Sequence, residues 1–264
     1  MKKLSALILA IAACSAHASP VVGGTPSFTA VRTQLELAGC PAESDPACVV
    51  GTGPGASFTE IGSPSGAYAE ARAGLGVNGA YASVDSSRLD LEAYAESIWA
   101  DAFVIRGGTG SATVHVSVRV DGWLDGAGQP GGPGSNAFYA LFIGDAPMFC
   151  EFDALSCGGR LAIPLTEPLS GTQVLGADIP FTYDQPFYVA SYLGAEVVGG
   201  AAGVADFFHS AHFGISAPTG ATLTAESGTL YPAVVSVPEP AAVWLLLLGL
   251  PGAVWVRFSR PADQ

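Results

Sequence analysis

Between Thr113 and Val120 the chain alternates without a break, with Val114, Val116, Val118 and Val120 on one side and Thr113, His115, Ser117 and Arg119 on the other. A period of two puts all four valines on one face of an extended segment, as in a strand with one buried face. Runs of the same character cover 56–61, 137–144, 172–183, 187–198, 204–216 and 221–226. Gly-, Pro- and Asp-rich breaks separate them, among them Asp121-Gly122 and the stretch from Gly126 to Gly134, where turns are expected. About ten strands in one body predict an all-β fold, a single β-sandwich or jelly-roll-like domain.

Two features of the pattern leave room for choice. The triplet Ala-Tyr-Ala recurs at 67–69, 80–82 and 93–95 with an equal spacing of 13. Adjacent strands of a meander would stack Tyr68, Tyr81 and Tyr94 as a ladder, although an Ala-rich chain can repeat a triplet by accident. The segment 87–103 fits a helix, with Leu91, Tyr94, Ile98 and Ala102 at helical spacing behind Ser87 as a cap. It fits a strand equally, since Leu89, Leu91, Ala93 and Ala95 alternate with Asp90, Glu92, Tyr94 and Glu96.

The two ends depart from this pattern. Met1-Lys2-Lys3 is a positive start, Leu4 to Ala13 is apolar, and Ala16-His17-Ala18 is a small-x-small site. These are the parts of a secretory signal peptide over residues 1–18, cut after Ala18 by signal peptidase. Ile11-Ala12-Ala13-Cys14 looks like a loose lipobox, but Cys14 also reads as an ordinary apolar residue of the signal, and that reading is preferred. At the other end Val237-Pro238-Glu239-Pro240 leads into 16 apolar residues, 241–256, followed by Arg257-Phe258-Ser259-Arg260. Those residues make ~24 Å of helix against a ~30 Å hydrocarbon core, so a thin bilayer is spanned with Trp244 and Trp255 at its interfaces. Arginines after the span keep the C-terminus cytoplasmic and turn the body outward.

On these residues the chain resembles the PEP-CTERM proteins, exported by Gram-negative bacteria with a tripartite sorting tail. Pro238, Glu239 and Pro240 match the recognition tripeptide, and Arg257 with Arg260 match the basic stop. Pro251 inside the span and a basic cluster of only two arginines depart from the ideal pattern. The resemblance implies an exosortase, a membrane cysteine transpeptidase, as processing partner, the inner membrane as transient anchor, and association with exopolysaccharide at the cell surface. Two prolines also suit recognition physically, since they hold the peptide extended for a protease groove. The Ala/Ser-rich, then Asp-aromatic stretch is similar to the bodies of other such proteins, and on that resemblance 87–103 is expected as a strand. The chain thus divides into a signal peptide (1–18), an exported body (19–232), and a linker with sorting tail (233–264, span 241–256).

Composition sharpens this division. The whole chain carries 10 Lys+Arg and 23 Asp+Glu, a net of −13. Both lysines and two arginines belong to the ends, so the body holds six arginines, no lysine and 21 carboxylates, a net of −15. Such a surface excludes a nucleic-acid binder working through phosphate contacts and opposes adhesion to anionic lipid. Four cysteines remain in the body, and their spacing favours the local disulfides Cys40–Cys48 and Cys150–Cys157 in an oxidising compartment. No His or further Cys stands at zinc-ligand spacing beside them.

Candidate chemistry is sparse. His115 sits on the polar side of its strand, where exposure is expected. His209 and His212 form H-x-x-H, which pairs ligands on a helix but sends them to opposite faces of the strand expected there. No G-x-S-x-G, H-E-x-x-H or phosphate-loop motif occurs. Asp121, Trp123 and Asp125 in Asp-Gly-Trp-Leu-Asp-Gly form the candidate ligand loop, a sugar platform with calcium as a possible ion, or else a turn whose Trp packs under the next strand. The expected function is that of an exported, exosortase-processed, non-catalytic surface or matrix protein with no cofactor. The alternatives are a lectin-like carbohydrate-binding module and a secreted hydrolase built on two of the many carboxylates.

Overall fold

A computed structural model describes residues 21–35, 48–63, 66–85, 91–126, 134–152, 156–198 and 202–232. Ala18, Cys14, Cys40 and the sorting residues Pro238, Glu239, Pro240, Arg257 and Arg260 lie outside the described residues, as does the span 241–256. Among the described residues no helix is long and apolar enough to cross a membrane. They form β1 (Val21–Gly23), β2 (Phe28–Leu35), β3 (Cys48–Gly53), β4 (Ala56–Gly62), β5 (Ala67–Gly74), β6 (Val77–Val84), β7 (Ala93–Arg106) and β8 (Ser111–Asp125). The chain continues through β9 (Gly134–Gly144), β10 (Phe149–Glu151), β11 (Ser156–Cys157), β12 (Arg160–Thr166), β13 (Gly171–Thr182), β14 (Pro186–Val198), β15 (Gly203–Ile215) and β16 (Thr222–Ala225).

The expected all-β class is what forms, in a β-sandwich-like arrangement. A first sheet runs β12-β9-β14-β7-β2-β3, with β16 added along β7; a second runs β13-β8-β15-β6-β5-β4. Pairing within both is antiparallel. The two inner faces share one core. On the second sheet it is lined by Ala67, Ala69, Ala71 and Ala73 of β5 and by Ala80 and Ala82 of β6; facing them are Trp99, Phe103, Tyr139, Leu141 and Leu193 of the first. Small residues against large ones let the layers interdigitate at native density. The four valines of β8 are all buried here, as their alternation requires.

The outer face of the first sheet is not left to water. A small sheet, β1-β10-β11, carries Val22, Cys150 and Cys157, which together with Met148 and Phe152 close a second apolar cluster over Ala30, Ile98, Phe138, Ala140 and Tyr192. Cys150 and Cys157, opposite one another in β10 and β11, form the expected disulfide. Strands β2 and β9 are therefore buried on both faces over nearly their whole length.

Three local expectations are settled by the pairing. Of the segment 87–103, residues 93–103 are strand, part of β7, residues 91–92 precede it, and 87–90 lie outside the described residues. Tyr68 and Tyr81 do stand on neighbouring strands, but Tyr94 does not complete the ladder: β6 belongs to the second sheet and β7 to the first. Asp121-Gly122 is not a turn either. β8 runs on through it to Asp125, because β13 supplies Thr172 and Gly171 opposite this pair and β15 supplies Asp206, Ala205 and Val204 opposite Trp123, Leu124 and Asp125.

Candidate functional site

With β8 extended to Asp125, the candidate residues Asp121, Trp123 and Asp125 become alternate positions of one strand and share its outer face. They are not a loop. Asp121 and Asp125 are four residues apart, ~13 Å along a strand, too far for one calcium ion with oxygens at ~2.4 Å. Partial burial pushes the Asp121 carboxyl upward, but a hydrogen bond from Thr172 Oγ1 at 2.5 Å and the Arg119 guanidinium outweigh it and hold the group below the usual carboxylate range. That carboxylate is a structural acceptor linking β8 to β13. Trp123 remains 50% exposed, so it does not pack under a following strand.

The register places other residues beside Trp123 that lie far away in sequence. Directly across the second sheet run Glu60 of β4, Glu70 of β5, Tyr81 of β6, Asp206 of β15 and Trp123 of β8. In the adjoining rows Tyr68 meets Tyr81 edge-on at 5.9 Å between ring centres, and Phe58, 54% exposed, meets Phe208 at 6.4 Å. Tyr68 Oη lies 3.1 Å from Glu60 and 3.2 Å from Glu70. Burial, then the charges of Glu70 and Glu60, push this phenol well above its usual value, so it remains a donor.

Phe208 reaches this face through a bulge. Between Phe207 and Ala211 β15 has three residues where β6 has only Gly79. The Phe208 carbonyl then lies over Gly79, where a Cβ would come within 1.9 Å of it, and accepts from Arg72 Nε at 2.7 Å. The Arg72 guanidinium also sits 4.8 Å from the Phe208 ring centre. On the inner side Gly122 makes the matching space, for Phe207, whose ring would lie 2.2 Å from a Cβ there.

The histidines do not gather. His115 is exposed on β8 and pairs with Asp178 on β13 at 2.8 Å. His212 Nε2 contacts the backbone carbonyl of His209 at 3.2 Å rather than its ring. Among the described residues no three His, Cys, Asp or Glu side chains are grouped to hold a metal ion.

A second polar group lies on the outer side of the first sheet, and nothing in the sequence joins its members, which come from separate strands. Tyr94, Glu196 and Asn136 oppose one another across β7, β14 and β9. Asn136 Nδ2 donates to Glu196 at 3.3 Å and to Glu167 at 3.4 Å, and Tyr94 Oη donates to Glu92 at 3.0 Å. Burial raises the Glu196 carboxyl first, the Asn136 hydrogen bond opposes it, and the charges of Glu167 and Glu92 raise it further. The folded state therefore holds this proton more tightly than the unfolded chain, and stability falls as pH rises from the ordinary glutamate value through the raised one. Glu196→Gln is expected to melt higher than wild type at pH 7 and at the same temperature at pH 3. Thermal melts at both pH values check this.

No known family's sequence profile matches the chain, and no curated protein sequence does. Among solved structures the chain is similar to the enzymatically active domain of tailspike protein 4 of bacteriophage CBA120, at 8% identity and a TM-score of 0.25. The alignment covers 61% of this chain and 19% of that one. A likeness of that size carries no argument about fold or activity.

Proposed function

We propose that the chain is an exported, non-catalytic surface or extracellular-matrix protein whose C-terminal tail is handled by an exosortase. The observation that carries this reading is the order of three parts at the C-terminus: Pro238-Glu239-Pro240, an apolar run over 241–256, then Arg257 and Arg260. The signal peptide over residues 1–18 supports it from the other end. So does the body: the Cys150–Cys157 disulfide suits an oxidising compartment, and a lysine-free surface of net −15 suits solubility outside the cell. In this reading signal peptidase cuts after Ala18, the inner membrane holds the intermediate, and a single sandwich or jelly-roll-like body is released to the surface, where it associates with exopolysaccharide.

The test follows a tagged chain in exosortase-bearing cells. Wild type is expected to appear as a shorter, surface-located form. Pro238→Ala, and loss of the exosortase, are each expected to accumulate a longer form in the inner membrane. If size and location are the same in all three cases, the sorting reading fails.

A further inference from the structure

The outer face of the second sheet differs from that of the first. β1-β10-β11 covers the first over Ala30, Ile98, Phe138, Ala140 and Tyr192, whereas the second presents Trp123 and Phe58 half-exposed, with Tyr68, Tyr81 and Phe208 partly exposed beside them. Aromatic rings on an open sheet face are a marker of interaction, because a folded chain ordinarily keeps such rings in its core. Their spacing is regular as well. Tyr81 and Trp123 are two strands apart in one cross-strand row, ~10 Å at the usual strand separation, and Asp206 lies between them. Asp206 accepts from the Phe208 amide at 3.3 Å through Oδ1, and among the described residues Oδ2 has no protein partner.

We propose that this face binds a neutral or amino-sugar glycan chain, laid across the strands over Tyr81 and Trp123 with Asp206 between them. A pyranose ring has an apolar face of C–H groups and an equator of hydroxyls. Ring faces lie on Tyr81 and Trp123, and the hydroxyls or an ammonium group donate to Asp206, and to Glu70 and Glu60 further along the row. The row from Glu60 to Trp123 crosses five strands, ~19 Å, enough for several linked rings. Charge selects the occupant. The carboxylates of Glu60, Glu70, Asp206, Asp121 and Asp125 outnumber the guanidinia of Arg72 and Arg119 on this face, which disfavours a uronate or sulfated polymer and an anionic membrane. They equally disfavour a second copy of the chain stacked face to face, since an isologous contact sets like charges against each other. Arg72 and Arg119 are already engaged, with Phe208 and Asp121.

The inference rests on the body alone and stands apart from the sorting reading. Its test is affinity electrophoresis of the purified full chain in detergent, through native gels holding hydroxyethylcellulose, glycol chitosan or alginate. Retardation is expected with the first or second polymer and not with alginate. It is expected to weaken about tenfold in Trp123→Ala and in Tyr81→Ala. Asp206→Asn tests the polar contact without removing a ring and is expected to weaken binding as well. His115→Ala, on the same strand but outside the row, is expected to bind as wild type does. The proposal is overturned if no polymer retards the protein, if alginate retards it most, or if Trp123→Ala, Tyr81→Ala and Asp206→Asn all migrate as wild type does. A concentration-dependent dimer abolished by Trp123→Ala overturns it too, by giving the face to a second copy.

Discussion

Arg32→Ala is expected to melt roughly 10 °C below the wild type. Arg32 lies on the outer face of β2, 4% exposed, under the small sheet that carries the disulfide. Its guanidinium pairs with Glu96 on β7, directly opposite in register, and both side chains are almost wholly excluded from water. Tyr192 donates to the other oxygen of Glu96, and its hydroxyl also lies 2.9 Å from the carbonyl of Phe152, whose ring is 5.2 Å from the Arg32 guanidinium. One ion pair thus ties β2, β7, β14 and the turn after β10 together. Removing Arg32 takes the guanidinium away from the buried Glu96 carboxyl, at a cost of about 3–5 kcal/mol. In a domain of about 200 residues that is roughly 2–4 °C of melting temperature per kcal/mol. Replacing both partners by apolar residues of similar size removes the buried carboxyl as well, so Arg32→Met with Glu96→Leu is expected to recover most of the loss. Thermal melts of the three proteins under non-reducing conditions distinguish a broken ion pair from lost packing.

The second large effect belongs to Asp101→Ala, which is expected to loosen the segment after β16 and to destabilise the body by about 2–4 kcal/mol. Asp101 is fully buried on β7, yet it faces the core. Its carboxylate accepts from the Ala102 amide at 2.8 Å, the Ser227 amide at 3.3 Å, the Ser227 hydroxyl, and Tyr231 Oη at 2.7 Å. Burial, then Asp101, pushes the Tyr231 phenol far above its usual range, so it donates at every working pH. The Tyr231 ring packs on Phe103 at 5.0 Å, Phe213 at 5.6 Å and Trp99 at 5.8 Å. Asp101 therefore pins the final described segment into the aromatic centre of the core, just before the chain reaches its proline-rich tail. Hydrogen exchange over 222–231 is expected to accelerate strongly in Asp101→Ala while exchange in β5 and β6 changes less. Tyr231→Phe keeps the ring and removes only the donor, so it should lie between the variant and wild type. Uniform acceleration across all strands would show instead that Asp101 supports the whole fold equally.

How far the fold could be read from the sequence follows from which strands have water on one face. β8, β13 and β15 lie in a sheet whose outer face is exposed, and their two-residue period is legible. β2 is sandwiched between the core and the disulfide-bearing flap, so both of its faces want apolar or paired residues and no alternation survives, whereas β9, buried on both faces as well, is still legible as the apolar run 137–144. Arg32 gives β2 a charge foreign to a core strand, and it is paired inside with Glu96. The flap strands are only two or three residues long, too short for any period. Asp121-Gly122 looked like a turn by composition, but Gly122 serves to admit Phe207 and Asp121 to bridge two strands.

The same holds for the candidate site. Trp123 was visible as an unusual residue beside two aspartates. Its neighbours Tyr81 and Asp206 were not, because only strand order brings β6, β15 and β8 side by side. The bulge that lifts Phe208 over Gly79 left no signal beyond a glycine in one strand and two histidines in another. The H-x-x-H spacing that suggested ligands marks, in the structure, the place where β15 gains its extra residues.

Export followed by tail processing is tested most directly by the intact mass of the protein recovered from the outer surface of its own cells. The predicted mass is that of a chain beginning at Ser19, without the apolar run 241–256, and with Cys150 and Cys157 joined. A full-length chain of 264 residues beginning at Met1, found inside the cell with both thiols reduced, would contradict it.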